Sequence, residues 1–276
     1  MQKVTIKSKI IIHVLLIIGA AIMIIPLLWM LLTSFKSVTE VTSVNPFVYL
    51  PTKWHFENYS AVMASYNFAQ LYFNTIVTMV FRVACAVIFS AMAAYAFARL
   101  EFPGKNFFFG LVLIQMMAPG QVFIIPQYLM IDAMHLRNTI FALVFPGLVS
   151  AFGTFLLRQF FMGLPKELEE ASVLDGCNIG QTFVRVMMPL AKSGMVALGI
   201  FTALFSFKDL MWPMIVNTDI SKSTLAAALA IIQGAISVNY PQLMAACVLA
   251  ILPMLIIYII FQKQFIVGIA TSGGKL

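Results

Sequence analysis

The sequence predicts an all-helical protein that crosses a membrane several times, and three observations carry this prediction. Of its 276 residues, 62% are hydrophobic and only 10% are charged, and the mean hydropathy is +0.98. Such values lie outside the range of soluble domains. Apolar runs long enough to cross a bilayer, which takes about 20 residues, recur along the chain. Lysines and arginines, finally, collect mainly between these runs rather than inside them.

The apolar runs define six expected membrane spans. They lie at about 10–33, 69–98, 106–128, 139–161, 190–216 and 242–262. Pro119, Pro126 and Pro146 interrupt the third and fourth runs. Membranes tolerate an interrupted helix where it is buried in protein or lines a cavity. We interpret residues 1–276 as a single transmembrane domain.

The distribution of basic residues predicts the orientation of the chain. With six spans, both termini lie on the same side of the membrane. The termini and the loops 99–105 and 158–192 carry eleven lysines and arginines, and the opposite side carries five. Because basic loops tend to stay in the cytoplasm, we expect both termini and the stretch 158–192 to be cytoplasmic. The net charge of +7 therefore gives no reason to expect a nucleic-acid partner.

The stretch 158–192 is polar and amphipathic, unlike its neighbours. Three acidic residues near its start favour a helix N-terminus. Its apolar stripe comprises Leu164, Leu168, Ala171 and Leu174. These features predict a helix over 165–175 that ends at Gly176, then a second short helix over 178–185. A plain connecting loop is the alternative.

The run EASVLDG, followed after nine residues by VMMP, resembles the EAA signature of ABC-importer permeases. Glu170, Ala171, Asp175, Gly176 and Pro189 stand in register with that signature. Further runs are similar to the carbohydrate branch of the family: AYAFARLEFPGK (94–105), MMAPGQVFIIPQYL (116–129) and RQFFMGLPKELEEASVLDG (158–176). The resemblance is to maltose-transporter-like permeases and covers nearly the whole chain. It implies the MetI-like architecture of a type I importer.

The resemblance implies a permease subunit of an ATP-driven sugar importer in a bacterial cytoplasmic membrane. Such a subunit is not an enzyme; it forms half of the translocation path and works by alternating access. The implied partners are a homologous second permease, a dimer of ATP-binding subunits and an extracytoplasmic sugar-binding protein. The sequence has no nucleotide loop of the type G-x-x-x-x-G-K-[ST]. We therefore expect no cofactor in this chain, with ATP and Mg bound by the partner ATPase.

The same resemblance assigns the loop 162–189 to coupling with the ATPase. The residues expected to take part are Glu167, Leu168, Glu170, Ala171, Leu174, Asp175, Gly176 and Pro189. The helix is expected to lay its apolar stripe in a groove of the ATPase. Glu170 would pair with a basic residue there, Gly176 would let the two short helices pack closely, and Pro189 would begin the fifth span.

Polar and aromatic side chains within the apolar runs are candidates for the substrate path. They are Arg82, Gln115, Lys208, Asp209 and Trp212. A charge at membrane depth usually faces the bundle interior or a water-filled cavity. Arg82 therefore either lines the path or pairs with a carboxylate or carbonyl of a neighbouring subunit.

More than one role is possible for the other four candidates. Gln115, with Gln121 and Gln127, could bind a polar solute or only pack between helices. Lys208 and Asp209 could bind sugar, neutralise each other or lie at the outer interface. Trp212 could stack on a sugar ring.

Three other function classes remain to be weighed. The same architecture could carry another small polar solute. An ion-coupled secondary transporter needs carboxylates within the membrane, and Asp209 is the one acid near a span centre. A membrane enzyme needs clustered reactive side chains, whereas the three histidines and three cysteines are scattered without metal-ligand spacing.

Overall fold

The fold is helical in a computed structural model that describes residues 6–44, 46–235 and 239–273. These residues contain no strand, and the predicted all-helical class is confirmed. The α-helices are α1 (Ile6–Ser34), α2 (Val38–Thr42), α3 (Glu57–Ser65), α4 (Phe68–Arg99), α5 (Lys105–Met117), α6 (Ile124–Ala133), α7 (Ile140–Val144), α8 (Ala151–Met162), α9 (Glu167–Leu174), α10 (Ile179–Thr182), α11 (Met188–Leu190), α12 (Lys192–Lys208), α13 (Met211–Val216), α14 (Leu225–Ala235) and α15 (Tyr240–Gly273). Short 3₁₀ turns lie at Gly120–Phe123, Phe145–Gly147 and Ile220–Lys222, and a π-turn lies at Phe183–Met187.

Three helical segments are long and apolar enough to cross a membrane unbroken. They are Ser8–Ser34, Phe68–Arg99 and Tyr240–Gln262. Three further candidates are bent pairs: Lys105–Met117 with Gly120–Ala133, Ile140–Gly147 with Ala151–Met162, and Ile179–Leu190 with Lys192–Lys208. Their bends are 104°, 47° and 76°. If each pair counts as one span, the described part of the chain has six.

Two candidate spans end elsewhere than the predicted ranges. The third bends sharply at Pro119–Gly120, and its second arm continues to Ala133. The fifth was expected over 190–216, but its long helix α12 ends at Lys208. Pro213 has no N–H for the carbonyl of Asp209, which disfavours a continuous helix at this point. Asp209 is extended (φ −64°, ψ 114°), and α13 begins two residues later.

The segment that ends at Phe68 forms one compact unit with residues 229–252. Directly after α1, the side chain of Lys36 is buried. Its Nζ donates to the carbonyl of Val48 at 2.6 Å and lies 4.2 Å from the ring centroid of Trp29. A charge with a carbonyl acceptor and an aromatic face avoids most of the cost of burial. Lys36 thus fixes the loop that follows α1.

Glu40 fixes the same loop from its other end. It forms a capping box with Ser37 at the start of α2 and accepts hydrogen bonds from the backbone and hydroxyl of Thr52. Burial by itself would raise the pKa of Glu40, but the hydrogen bonds from Thr52 and Ser37 outweigh it and lower the pKa to about 2. This loop is therefore held by polar contacts of its own.

The second unit comprises 69–228 and the chain after 252. Its core lies where α4, α8 and α12 meet the loop between α8 and α12. The core residues are Ala91, Ala94, Tyr95, Leu157, Phe161, Met187, Ala191 and Leu198. Ala91 and Ala94 are fully buried, and small side chains of this kind let membrane helices approach closely. The candidate functional residues all belong to this unit.

Candidate functional site

The loop 162–189 begins with a helix and a glycine turn. α9 carries Glu167, Glu169 and Glu170 in its first turn, where negative charge stabilises a helix N-terminus. Asp175 follows its last turn, and Gly176 adopts the left-handed conformation predicted for a helix end (φ +83°). A Cβ placed on Gly176 would meet no atom within 4 Å. The expected close packing at Gly176 is therefore wrong, and the glycine serves the turn.

The second half of the loop departs from the predicted helix over 178–185. Asn178 caps α10 through a capping box, as predicted. The α-helix ends after one turn, however, and Phe183–Met187 forms a π-turn. Pro189 offers no N–H to the carbonyl of Arg185 four residues earlier, and the widened turn lies directly before it. Pro189 itself lies in α11, the end of the first arm of the fifth candidate span.

One side of α9 is tied to the end of α4. The hydroxyl of Tyr95 donates to the carboxylate of Glu169 at 2.5 Å, and Arg99 Nε lies 3.8 Å from that carboxylate. Arg99 Nη2 also donates to the carbonyls of Phe161, at 2.6 Å, and Leu164. These carbonyls lie at the end of α8, where helices leave acceptors unsatisfied. The Tyr95–Glu169–Arg99 cluster thus joins α4, α8 and α9.

The opposite side of the loop presents apolar side chains. The exposed fractions are 40% for Leu168 and 88% for Leu174; these two residues and Ala171 are called the coupling face below. Ala171, between them in sequence, is also exposed. Leu164 of the predicted stripe instead packs on the core, because Arg99 draws the chain inward at that point. Exposed apolar side chains grouped in this way mark an interaction surface.

A groove of about 560 Å³ adjoins the coupling face. Its charged rim is formed by Arg99, Glu101, Lys166, Glu169 and Glu170. Glu170 is exposed and forms no ion pair with any residue that the structure describes. Glu167 and Asp175 are exposed as well. The groove can therefore receive a basic side chain from outside this chain.

The buried charge of Arg82 on α4 is paired within the chain. Arg82 Nη1 donates to Asp209 Oδ2 at 2.7 Å, and Nε donates to the carbonyl of Leu143 at 2.9 Å, as does Nη2. The exposed fractions are 8% for the Arg82 side chain and 23% for that of Asp209. Gly147 makes room, since a Cβ there would lie 2.7 Å from Arg82 Cγ. Arg82 thus has a carboxylate and a carbonyl partner, but neither belongs to a neighbouring subunit.

A cavity of about 640 Å³, the path cavity, opens beside this pair. Its polar and aromatic lining comprises Arg82, Gln121, Gln127, Phe205, Lys208, Asp209 and Trp212. Residues at three helix interruptions contribute: Gly120 after α5, Pro146 before α8 and Leu210 between α12 and α13. Broken helices line solute sites in membrane transporters because they free polar groups to face a cavity. The structure therefore brings together Arg82, Lys208 and Asp209 from the predicted path.

Lys208 is placed differently from one of its predicted roles. It does not neutralise Asp209, whose carboxylate is held by Arg82. Its Nζ lies 5.7 Å from the ring centroid of Phe205, and both side chains are exposed. Phe205 is 67% exposed, which makes it an accessible aromatic surface in the cavity.

Trp212 and Gln115 are less available than predicted. Trp212 borders the cavity but is only 4% exposed, and its indole N–H donates to the carbonyl of Ala142 at 2.8 Å. Its ring packs with Leu143 and Val216, so it offers no free face to a sugar. Gln115 lies on α5, before the 104° bend, and does not line the path cavity. The bend separates it from Gln121 and Gln127.

Sequence reasoning missed four residues that build these sites: Tyr95, Arg99, Glu169 and Phe205. Glu169 and Ser172 are three residues apart and share a helix face. Ser172 bonds Thr182 at 2.8 Å, but a polar helix face does not by itself indicate that this face points inward. Phe205 stands three residues before Lys208, the spacing that places two side chains together on a helix. No signal in the sequence pairs Tyr95 with Glu169.

Comparison with known proteins places the chain in one family. Residues 86–269 match the model of the "Binding-protein-dependent transport system inner membrane component". The chain is 34% identical to the diacetylchitobiose uptake system permease protein NgcG of Streptomyces coelicolor over 265 residues. The aligned region covers 95% of this chain and 87% of that relative. It is 33% identical over 275 residues to the arabinooligosaccharides transport system permease protein AraQ of Halalkalibacterium halodurans, with 98% and 99% covered.

A solved structure agrees with these relatives. It is that of a bacterial ABC transporter involved in the import of the acidic polysaccharide alginate, with a TM-score of 0.78 and 26% identity. The match covers 96% of this chain and all of that one. The chain therefore belongs to the family of binding-protein-dependent transport system inner membrane components and is an ABC transporter permease, a non-catalytic, multi-pass membrane subunit.

Proposed function

We propose that this chain is the permease subunit of an ATP-driven carbohydrate importer and supplies half of its translocation path. The observation that carries the proposal is the coupling face. Its exposed apolar side chains lie on one side of a short loop, and the other side is fastened to α4 by the Tyr95–Glu169–Arg99 cluster. The names of the two oligosaccharide permeases above support carbohydrate as the solute class.

The ATPase is expected to hold α9 in a groove, as an amphipathic helix is held by a partner. The residues to which we assign this contact are Glu167, Leu168, Glu170, Ala171, Leu174, Asp175, Gly176 and Pro189. Leu168 and Leu174 supply apolar area, and Glu170 pairs with a basic residue of the ATPase. Gly176 sets the turn after α9, and Pro189 ends the loop.

Movement of the ATPase would reach the path cavity through α4. The cluster holds α9 at Tyr95, and Arg82 lies about 20 Å further along the same helix, at 1.5 Å per residue. When ATP and Mg close the partner ATPase dimer, the loops of the two permeases are drawn together and their spans tilt. The cavity then opens to the outside, and it returns after hydrolysis. This is alternating access.

The proposed assembly has four kinds of component. A homologous second permease completes the path, an ATP-binding subunit dimer lies in the cytoplasm, and an extracytoplasmic sugar-binding protein delivers the solute. The excess of basic residues in the termini and in the loop 158–192 supports cytoplasmic termini. The binding protein favours transport only through its higher affinity for the outward-open state.

Ion-coupled transport is the weaker alternative. It needs a membrane carboxylate that can take up and release a proton or a cation. Asp209 accepts a 2.7 Å hydrogen bond from Arg82, so its carboxylate already has a partner within the chain. The same ATP-driven importer could carry a different small polar solute through the same cavity. Measuring the uptake of a panel of sugars distinguishes a carbohydrate importer from an importer of another solute.

The proposal is tested by Leu174→Glu, since Leu174 is 88% exposed in the isolated chain. Burying a carboxylate in an apolar groove, and losing the leucine contact, should weaken ATPase binding roughly tenfold or more. We expect insertion into the membrane to be normal, co-purification of the ATPase to fall and sugar uptake to be lost. Lys222→Glu, the same side chain at an exposed position outside the loop, is the control and should leave ATPase co-purification unchanged. Normal uptake by Leu174→Glu would contradict the coupling role.

A further inference from the structure

The charges around the path cavity do not cancel. Among its lining residues Arg82 and Lys208 are basic and Asp209 is acidic. Asp209 is held by Arg82 at 2.7 Å, and the remaining described contacts of the Arg82 guanidinium go to the carbonyl of Leu143. One positive charge, that of Lys208, is left over. The cavity therefore carries a net charge of about +1 in its resting arrangement.

Lys208 is available to a ligand in the cavity. It is the last residue of α12, and its ammonium forms no ion pair with any residue in the described ranges. Its described partner is the ring of Phe205, 5.7 Å away. An ammonium over an aromatic ring keeps most of its hydrogen-bonding capacity free. The ammonium and the ring together present a charge beside an apolar face.

We propose that the path cavity is built for an acidic saccharide, a sugar that carries a carboxylate or phosphate group. The anionic group would pair with Lys208, while Phe205 stacks on the C–H face of the ring. Gln121 and Gln127, which line the same cavity, would bind hydroxyl groups. This inference rests on the proposed function and narrows its substrate class.

The size and setting of the cavity support such a ligand. Its volume of about 640 Å³ lies within the range of about 300–1,000 Å³ that small-molecule sites occupy. Hydrogen bonds to charged groups are stronger than those between neutral groups, more so where the local dielectric is low. A neutral sugar would leave the charge of Lys208 without a counter-charge. An anion balances it, and the pair with Arg82 keeps Asp209 from doing so.

The test compares charged and neutral sugars of the same shape. The complete importer, with its second permease, ATPase and binding protein, is reconstituted in vesicles. Uptake is measured for digalacturonate against galactobiose and for galactose phosphate against galactose, which separates a carboxylate from a phosphate source of charge. The variants are Lys208→Gln and Lys208→Glu. Lys222→Gln, an exposed lysine outside the cavity, is the matched control.

The readout is the ratio of acidic to neutral uptake. All variants receive sugar from the same binding protein, so the preference of that protein cancels between variants. We expect the ratio to fall about tenfold in Lys208→Gln, further in Lys208→Glu, and to stay unchanged in Lys222→Gln. Assembly of each variant with the ATPase is checked by co-purification.

Two results would overturn the inference. One is uptake of neutral sugars alone by the wild-type importer, and the other is an unchanged ratio in Lys208→Gln. In both cases ATP-driven sugar uptake persists, so the proposed function stands. Absence of uptake for every sugar, charged or neutral, would instead contradict the proposed function as well.

Discussion

Arg82 needs its partners because of its position along α4. At 1.5 Å per residue it lies about 21 Å from the start of the helix at Phe68 and about 25 Å from its end at Arg99. A charge near the middle of a span is expensive unless it is paired. Asp209 and the carbonyl of Leu143 supply the pairing, and each lies beside a helix break. The contacts of Arg82 therefore join α4 to two other segments of the chain, each next to a helix interruption.

Replacing one member of the Arg82–Asp209 pair should lower the free energy of unfolding more than replacing both. Arg82→Gln or Asp209→Asn leaves the other charge without a partner, which lowers stability by about 3–5 kcal/mol. The double variant leaves no unpaired charge. We expect each single variant to lower the Tm of the purified complex and its uptake, and the double variant to recover part of the Tm. A double-mutant cycle with thermal unfolding measures the coupling.

The matched control for this cycle is the pair of Asp132 and Arg137. Their ion pair has a similar length, 2.9 Å, but its side chains are 45% and 50% exposed. Exposed pairs contribute about 0–1 kcal/mol, so Asp132→Asn and Arg137→Gln should change the Tm little. Additive losses in the double variant of Arg82 and Asp209 would show that the two residues act independently.

At the residue scale, sequence reasoning identified the chemistry of the path but not the contacts. Arg82 stands out as a charge within an apolar run, so its need for partners was predictable. That Asp209 pairs with Arg82 rather than with the neighbouring Lys208 depends on a contact across 127 positions, which no local spacing encodes. Trp212 has a composition suited to sugar binding, yet its indole N–H is taken by Ala142. Whether a side chain is free to bind a sugar depends on its tertiary contacts.

At the scale of elements, α9 is attached to the end of α4. The coupling face points outward from α9, while Glu169 on its other side meets Tyr95 and Arg99. Phe183 of the π-turn packs on Tyr95 with ring centroids 5.1 Å apart. The loop is thus attached to α4 by polar and aromatic contacts together. The proposed contact with the ATPase and the proposed transmission of its movement would use opposite sides of the same helix.

Tyr95→Phe and Glu169→Gln should separate binding from transmission. Both keep the coupling face intact, so the ATPase should still co-purify. Loss of one buried hydrogen bond costs about 1–3 kcal/mol, which loosens the attachment of α9. We expect sugar transported per ATP hydrolysed to fall several-fold, as measured by paired uptake and phosphate-release assays.

Tyr240→Phe, at a tyrosine that is 49% exposed, provides the control for this prediction and should transport normally. Loss of ATPase co-purification in Tyr95→Phe would assign the cluster to binding. An unchanged ratio of sugar to ATP would remove the cluster from the transmission path.

Local signals explain why some elements were predictable and others were not. Gly176 and Asn178 determine a helix end and a helix start by their own chemistry, and both lie where expected. The π-turn before Pro189 and the 104° bend near Pro119 have no such unique signal. A proline indicates that a helix is interrupted, but packing decides how the chain continues.

At the scale of the molecule, span number follows from length and apolarity, and both are properties of sequence. If each bent pair is one span, the three unbroken helices and three bent pairs give six spans, the number of the apolar runs. The ends of the spans shift where polar residues are satisfied by tertiary contacts, as at Asp209.

The central claim is that the coupling face controls which side of the membrane the path cavity faces. The most direct measurement is the reactivity of a cysteine at position 205 towards an impermeant thiol reagent added outside. It uses Phe205→Cys in an importer whose Cys85, Cys177 and Cys247 are replaced by serine. Phe205 is 67% exposed in the cavity, so its replacement reports access to the path.

The account predicts that outside labelling rises strongly when the ATPase dimer is held closed with ATP and falls in its absence. It also predicts that Leu174→Glu abolishes this dependence while the cysteine remains present and reactive in detergent. Labelling that is the same with and without ATP, or that still responds to ATP in Leu174→Glu, would contradict the claim.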